Sequence, residues 1–271
     1  QQDGKASFTA DIPIGHTYYI KESLAPEKYY KSDEIFTFQY TYKDDKTYVY
    51  EHHGEFSNEE VRGTVHVNKI DKETDAYQSQ GDAILDGAVY GLYAKNDIVH
   101  PNKKTGVVYK AGELVDQKVI KDGKADFTDL YLGEYYVQEI EPPEGYLLDS
   151  TKYPVSVPYE GQEVKVVERN VTVKEQVKKQ AFQLIKISED GDQTEVDLVE
   201  GAGFRIYLLK DISGVKDGTM KPSNGADFVA KDFAGYDFSK EKPAVLYQNG
   251  KKIEIPEMFT DKKGYVQSPE I

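Results

Sequence analysis

The chain repeats itself at a long, fixed interval. Tyr18-Tyr19-Ile20-Lys21-Glu22 returns as Tyr135-Tyr136-Val137-Gln138-Glu139, an offset of 117 (139 minus 22). Ala25-Pro26-Glu27-Lys28-Tyr29 returns as Pro142-Pro143-Glu144-Gly145-Tyr146 at the same offset, and Val65-His66-Val67-Asn68-Lys69-Ile70 as Phe182-Gln183-Leu184-Ile185-Lys186-Ile187. Gly87–Tyr93 resembles Gly201–Tyr207, and the Asp-Gly-Lys segment at Asp122 has relatives at Asp3 and Asp261. Each copy of such a repeat is one structural unit that stacks on its neighbours. The matches set a phase. Residues 1–63 read as the C-terminal half of one module, 64–178 as a complete module, and 179–271 as the N-terminal part of a further one. Linkers this short predict end-to-end stacking.

Inside a module the pattern is that of strands. Phe36, Phe38, Tyr40 and Tyr42 alternate with Thr37, Gln39 and Thr41, the period of a half-buried strand. Asp122-Gly123, Pro143-Glu144-Gly145 and Asn249-Gly250 mark turns between such runs. The stretch from Asn96 to Gly112 reads as an extended loop or hairpin, and no long amphipathic helix is evident. The 22 Tyr and 11 Phe favour strands, and short strands at this spacing predict an all-β fold of tandem sandwich modules.

Composition excludes several classes of function. A formal net charge of -14 argues against a nucleic-acid surface. With no cysteine there is neither a disulfide nor a thiolate metal site. No apolar run is long enough to span a bilayer, so no membrane contact is expected within these residues. The chain opens on Gln1-Gln2-Asp3 in mid-pattern, so it reads as a fragment whose secretion signal and anchor lie elsewhere.

The informative residues are charges on apolar faces. Side chains alternate along a strand, so Val65, Val67 and Lys69 share one face, as do Phe182, Leu184 and Lys186. Tyr135, Val137 and Glu139 share another, as do Tyr18, Ile20 and Glu22. An inward amine or carboxylate is costly unless the two meet or neutralise. One lone lysine would usually sit at a strand end and snorkel into solvent. Recurrence at a fixed spacing with aromatic neighbours favours a designed cluster.

The box from Tyr135 to Tyr146, its copy from Tyr18 to Tyr29, the Gly87–Tyr93 segment and the Val65–Asp71 strand together resemble the Cna-B, or SpaA-like, domains of Gram-positive surface adhesins and pilins. The resemblance covers nearly the whole chain. It implies a prealbumin-like (Ig-like) β-sandwich, often closed by a spontaneous Lys–Asn isopeptide bond that a nearby Glu promotes. It further implies an extracellular, cell-wall-anchored protein whose nearest partners are its own neighbouring modules. The chemistry is sound. Burial lowers a lysine pKa and frees its lone pair, raises a glutamate pKa so that it can shuttle protons, and replaces a bimolecular encounter with proximity. It happens once per molecule, so the chain is not an enzyme in the sense of turnover.

Under that resemblance, Glu22 and Asn58 belong to the first module, whose lysine would precede residue 1. Lys186 belongs to the third, whose Glu and Asn would follow Ile271. Only the middle module is complete, with Lys69 as nucleophile and Glu139 as promoter. Its acceptor is open. Asn58 precedes Lys69 by eleven residues, and the same spacing before Lys186 lands on Glu175. Asn170 is the nearest asparagine, but it needs a β-bulge to face inward. The rival is a noncovalent cluster of Lys69, Glu139 and Glu175.

No other constellation competes. His52 and His53 are adjacent and face opposite ways, and His16, His66 and His100 have no ligand spacing, so no metal is expected. Glu189-Asp190-Gly191-Asp192 lacks the arrangement of a calcium-binding loop. There is no phosphate loop, no nucleophile signature and no implied cofactor. The leading expectation is a stalk or spacer region. The alternatives are a ligand-binding adhesin module for a host protein or glycan, a pilin subunit (although the pilin motif contains a Trp that this chain lacks), and an accessory region of a cell-wall enzyme.

Overall fold

The computed structural model describes residues 7, 12–48, 50–188 and 198–271. Apart from Ser7, the Asp3–Phe8 copy of the turn segment lies outside the described residues, as does the acidic cluster Glu189–Asp192. The fold is almost entirely β, as the alternation predicts. Among the described residues the one α-helix is the single turn α1 (Ser213–Lys216), and no helix is long and apolar enough to cross a membrane.

The middle stretch is a two-sheet sandwich. Its strands are β3 (Arg62–Asp71), β4 (Val89–Ala94), β5 (Ile98–Val99), β6 (Val107–Tyr109), β7 (Leu114–Val119), β8 (Lys124–Leu130), β9 (Gly133–Glu141), β10 (Tyr153–Val157) and β11 (Val166–Glu175). One sheet has the order β10-β9-β4-β7, the other β11-β3-β8, and β5 and β6 form a separate hairpin. Alternation decides what lies between the sheets. Along β3 every second residue is buried, which places Val65, Val67, Lys69 and Asp71 in the interior. Tyr90, Leu92, Tyr135 and Val137 face them from the first sheet, and Phe127, Val167, Val171 and Val173 complete the core.

The first and last long strands of this sandwich, β3 and β11, are parallel neighbours. Their register runs unbroken from Arg62↔Val166 to Asp71↔Glu175. β8 lies on the other side of β3 and is antiparallel to it. The two sheets approach closely at Gly63: a Cβ built there would lie 2.3 Å from Cγ1 of Val157 on β10.

The preceding stretch holds β1 (Thr17–Lys21) and β2 (Ile35–Gln39), paired antiparallel. β2 is shorter than the aromatic alternation suggests. It ends at Gln39, and Tyr42 beyond it is exposed. The 117-residue repeat recurs bond for bond. The Tyr29 and Tyr146 amides donate to the carbonyls of Pro26 and Pro143, and the Tyr30 and Leu147 amides to those of Glu59 and Gln176. The Val61 and Lys178 amides donate to the carbonyls of Lys28 and Gly145, which share the left-handed conformation at φ 72° and 83°.

The last stretch holds β12 (Gln183–Ile185), β13 (Gly203–Phe204), β14 (Val245–Gln248), β15 (Lys251–Glu254), β16 (Met258–Phe259) and β17 (Tyr265–Gln267). Pairings are β12 with β17, β13 with β16, and β14 with β15. Here too the repeat is visible in the backbone: the Lys69 amide donates to Gly123 O at 2.8 Å and the Lys186 amide to Gly264 O at 2.7 Å.

The close approach at Gly63 gives a direct test. Gly63→Ala must push Val157 and β10 outward, and overpacking of this kind costs about 1–3 kcal/mol. Chemical denaturation of the protein should show that loss with an unchanged m-value.

Candidate functional site

Four strands from both sheets converge on the Lys69 amine. Lys69 enters from β3, Glu139 from β9, Glu175 from the end of β11 and Tyr90 from β4. Lys69 Nζ lies 3.3 Å from Glu175 Oε1 and 3.8 Å from Glu139 Oε1, and all three side chains are fully sealed from solvent. The Tyr90 and Tyr146 rings pack against the amine, with their centroids 5.9 and 5.8 Å from Nζ. Negative ring faces suit a cation, or a polar amine, that has no water.

The surrounding hydrogen bonds fix the carboxyl groups. The Tyr90 hydroxyl donates to Glu175 Oε1. The Asp149 amide donates to Glu139 Oε2 at 2.8 Å. Tyr146 is anchored in turn, because its hydroxyl donates to buried Asp71 at 2.9 Å, and the Glu73 and Thr74 amides cap the same carboxylate at 2.8 Å. Three atoms stay unpaired in hydrogen-bond terms: Lys69 Nζ, Glu139 Oε1 and Glu175 Oε2. Buried polar atoms without partners are rare and costly, and their meeting at one point marks the site.

The structure therefore brings Lys69, Glu139 and Glu175 together. Asn170 is a correction to the sequence reading. It lies opposite His66 in the unbroken β11–β3 register and is exposed on the outer face, because Val171, Val173 and Glu175 take the inward positions. The bulge that would turn it inward is absent, so it cannot reach Lys69. Lys186 is exposed, with its backbone in the register of Lys69.

The first stretch holds the matching half of this geometry. The Asn58 side-chain amide donates to Glu22 Oε2 at 2.7 Å and to the Tyr30 carbonyl at 3.0 Å. The Ser32 amide donates to the same Glu22 oxygen at 2.7 Å, as the Asp149 amide does to Glu139. Asn58 and Glu175 are thus equivalent positions, and the middle unit carries a carboxyl where the first carries an amide. Tyr90, Tyr146 and Asp71 escaped the sequence reading. Asp71 could have been found there, since it stands two residues after Lys69 on the same face.

Residues 63–172 match the model of the SpaA prealbumin-like fold domain. No curated protein matches the chain. Among solved structures, the Bacillus anthracis TIE protein is similar over 94% of this chain and 34% of its own, at 19% identity and a TM-score of 0.48. The group B streptococcus pilus 2b backbone protein is similar over 56% of this chain and 53% of its own, at 20% identity and a TM-score of 0.34. BcpA, the major pilin subunit of Bacillus cereus, is similar over 46% of this chain and 31% of its own, at 24% identity and a TM-score of 0.28. The chain thus spans from about a third to about half of these proteins.

Burial dominates the protonation of the cluster. It pushes the Glu139 carboxyl up from 4.5 to about 8, helped by Glu175 and opposed by the Asp149 amide and Lys69. Burial likewise lowers the Lys69 ammonium, against the pull of Glu175 and Glu139. Groups this close titrate as a unit. The sign for Glu139 follows from linkage. Between its unfolded value of 4.5 and its folded value of about 8, the folded protein holds a proton that the unfolded chain has released. Stability therefore falls as pH rises through that window, by at most about 1.4 kcal/mol per pH unit. Glu139→Gln keeps the acceptor for the Asp149 amide and cannot titrate. Denaturation curves from pH 4.5 to 8 should slope downward for the parent protein and lose that component in the variant.

Proposed function

We propose that the chain is a structural spacer, a run of β-sandwich units in the stalk of a surface protein or pilus on a Gram-positive cell, and that it catalyses no turnover reaction. The observation that carries this reading is the pairing of β3 with β11. These are the entry and exit strands of the middle unit, and they run parallel along ten residue pairs. Tension applied at Arg62 and Glu175 pulls the two strands past each other in shear. All their hydrogen bonds then resist together, whereas strands peeled from one end yield one bond at a time. An extracellular location and neighbouring modules as partners fit this role, as does the family match of residues 63–172.

The Lys69 cluster supports a sharper form of the proposal, in which the cluster is a crosslinking site whose acceptor is Glu175. With the amine deprotonated by burial, its lone pair attacks Cδ of the Glu175 carboxylic acid. The protonated Glu139 gives its proton to the departing hydroxyl from one oxygen and takes a proton from nitrogen on the other. One N–C bond forms, one C–O bond breaks, one water leaves, and Glu139 is regenerated. In water an amide gains little over its acid and amine, but fixed juxtaposition is worth an effective molarity of about 10⁵ M or more. The product joins β3 directly to β11, so tension passes through a covalent bond and bypasses residues 70–174. A chain without cysteine gains a link that no reductant opens.

A second reading is favoured by the insertion between β13 and β14. Tyr207, Phe228, Phe233, Tyr236 and Phe238 pack there as a half-buried aromatic cluster, with ring centroids 5.0–6.0 Å apart. Such a platform suits a ligand-binding adhesin module that engages a host protein or glycan.

Intact mass under denaturing conditions tests the crosslink. The expected value is the sequence mass less one water, returning to the full mass of the variant in Lys69→Met. Loss of one ammonia, or no loss, sinks the Glu175 assignment. Single-molecule pulling tests the spacer separately. The middle unit should stay closed at forces that open Lys69→Met, and unfolding of the parent protein at the low forces of strand peeling would count against the role. Removing one partner of the buried cluster should also cost about 3–5 kcal/mol.

A further inference from the structure

We infer that two hairpins of unrelated sequence act as struts, each reaching back from its own unit to fix the joint with the preceding one. The β5–β6 hairpin lies between β4 and β7, and the β14–β15 hairpin lies between β13 and β16. These positions correspond. β4 pairs with β7 as β13 pairs with β16, and the Gly87 amide donates to Ile120 O as the Gly201 amide donates to Thr260 O.

At the first joint the strut meets Glu60, which sits in the connection between β2 and β3 and bridges to Tyr29. His100, directly after β5, places Nε2 3.1 Å from Glu60 Oε1, with both side chains mostly buried. Arg62 Nη2 holds the other carboxylate oxygen at 2.7 Å, and the Arg62 guanidinium lies over the Tyr131 ring at 3.8 Å. A second line of contact runs from the segment after β10. The Lys31 amide donates to Gln162 O at 2.9 Å, the Ala25 amide to Gln162 Oε1 at 2.7 Å, and Lys31 Nζ pairs with Glu163 at 2.5 Å.

At the second joint the strut meets Glu73, in the loop that follows β3. The hairpin turn is Asn249-Gly250, with both residues at positive φ as a tight two-residue hairpin requires. The Gly250 amide donates to the Glu73 carbonyl at 2.7 Å, and the Gln78 side chain donates to the Tyr247 hydroxyl at 3.1 Å. The Glu73 carboxylate meanwhile holds the connecting segment, with Lys179 Nζ at 2.5 Å and Gln176 Nε2 at 2.7 Å. One residue thus ties both the hairpin and the linker. A short linker alone leaves two units free to pivot about it. A second anchor, displaced sideways from the linker, removes that freedom. The two joints are therefore stiff, and the direction of one unit dictates the direction of the next. This inference is independent of the Lys69 crosslink.

The absence of cysteine makes the test clean. Glu168→Cys on β11 and Lys262→Cys after β16 are exposed positions on either side of the second joint, and both take spin labels in the full chain. Double electron–electron resonance should give one narrow distance distribution. Combining Glu73→Gln, Gln78→Ala and Lys179→Ala should broaden it at least two-fold while the amide-exchange protection of β3 and β9 is retained. The milder pair Gln78→Ala and Tyr247→Phe, which removes only the side-chain contact of the hairpin, should broaden it part of the way. For the first joint, labels at Thr41→Cys and Glu168→Cys should respond in the same way to Glu60→Gln with His100→Ala. A broad distribution in the parent protein, or one that the variants leave unchanged, overturns the inference.

Discussion

An amine buried beside two carboxyl groups is the interaction on which this structure turns. A lysine at the centre of a β-sandwich is tolerable only if its charge is matched or removed, because the desolvation penalty of each ion amounts to several kcal/mol. Here the match comes from two glutamates on different sheets, backed by Tyr90 and Tyr146. The cluster therefore sets β3, β4, β9 and β11 against one another. A slip of one residue on β3, β9 or β11 would turn a charged side chain outward, and on β4 it would turn out the Tyr90 hydroxyl, in each case leaving the partners stranded. The cluster thereby specifies register.

Mechanics extends the same theme. The cluster joins the strands through which tension would enter and leave the middle unit, and it sits at the end of β11 from which the chain continues. Beyond it, Glu73 and Glu60 repeat the logic at the joints, where a partly buried carboxylate gathers partners from segments that would otherwise move independently. Ionic contacts of this kind add little when exposed. Sheltered, and shared among several donors, they define an angle.

Much of this was legible in the residues. The 117-residue repeat, the alternation of apolar side chains and the recurrence of Lys69 and Glu139 on apolar faces all depend on period-2 geometry, which needs no tertiary information. The partner that β11 brings to the Lys69 amine was not legible. Parity alone allowed both Glu175, which faces inward, and Asn170, which needed a bulge. Only the continuous β3–β11 ladder removes the bulge and places Asn170 outside. Tyr90 and Tyr146 were also missed, because their roles depend on which strands become neighbours across the core.

The sequence by itself determined the fold class, the presence of repeating units and the identity of the buried amine, since each follows from local spacing and residue type. The tertiary structure decided which carboxyl faces the Lys69 amine, that the entry and exit strands are parallel neighbours, and that two dissimilar hairpins brace the joints. Those outcomes rest on contacts between residues tens to more than a hundred positions apart. No local preference encodes them, and they are settled only when the sheets close over a shared core.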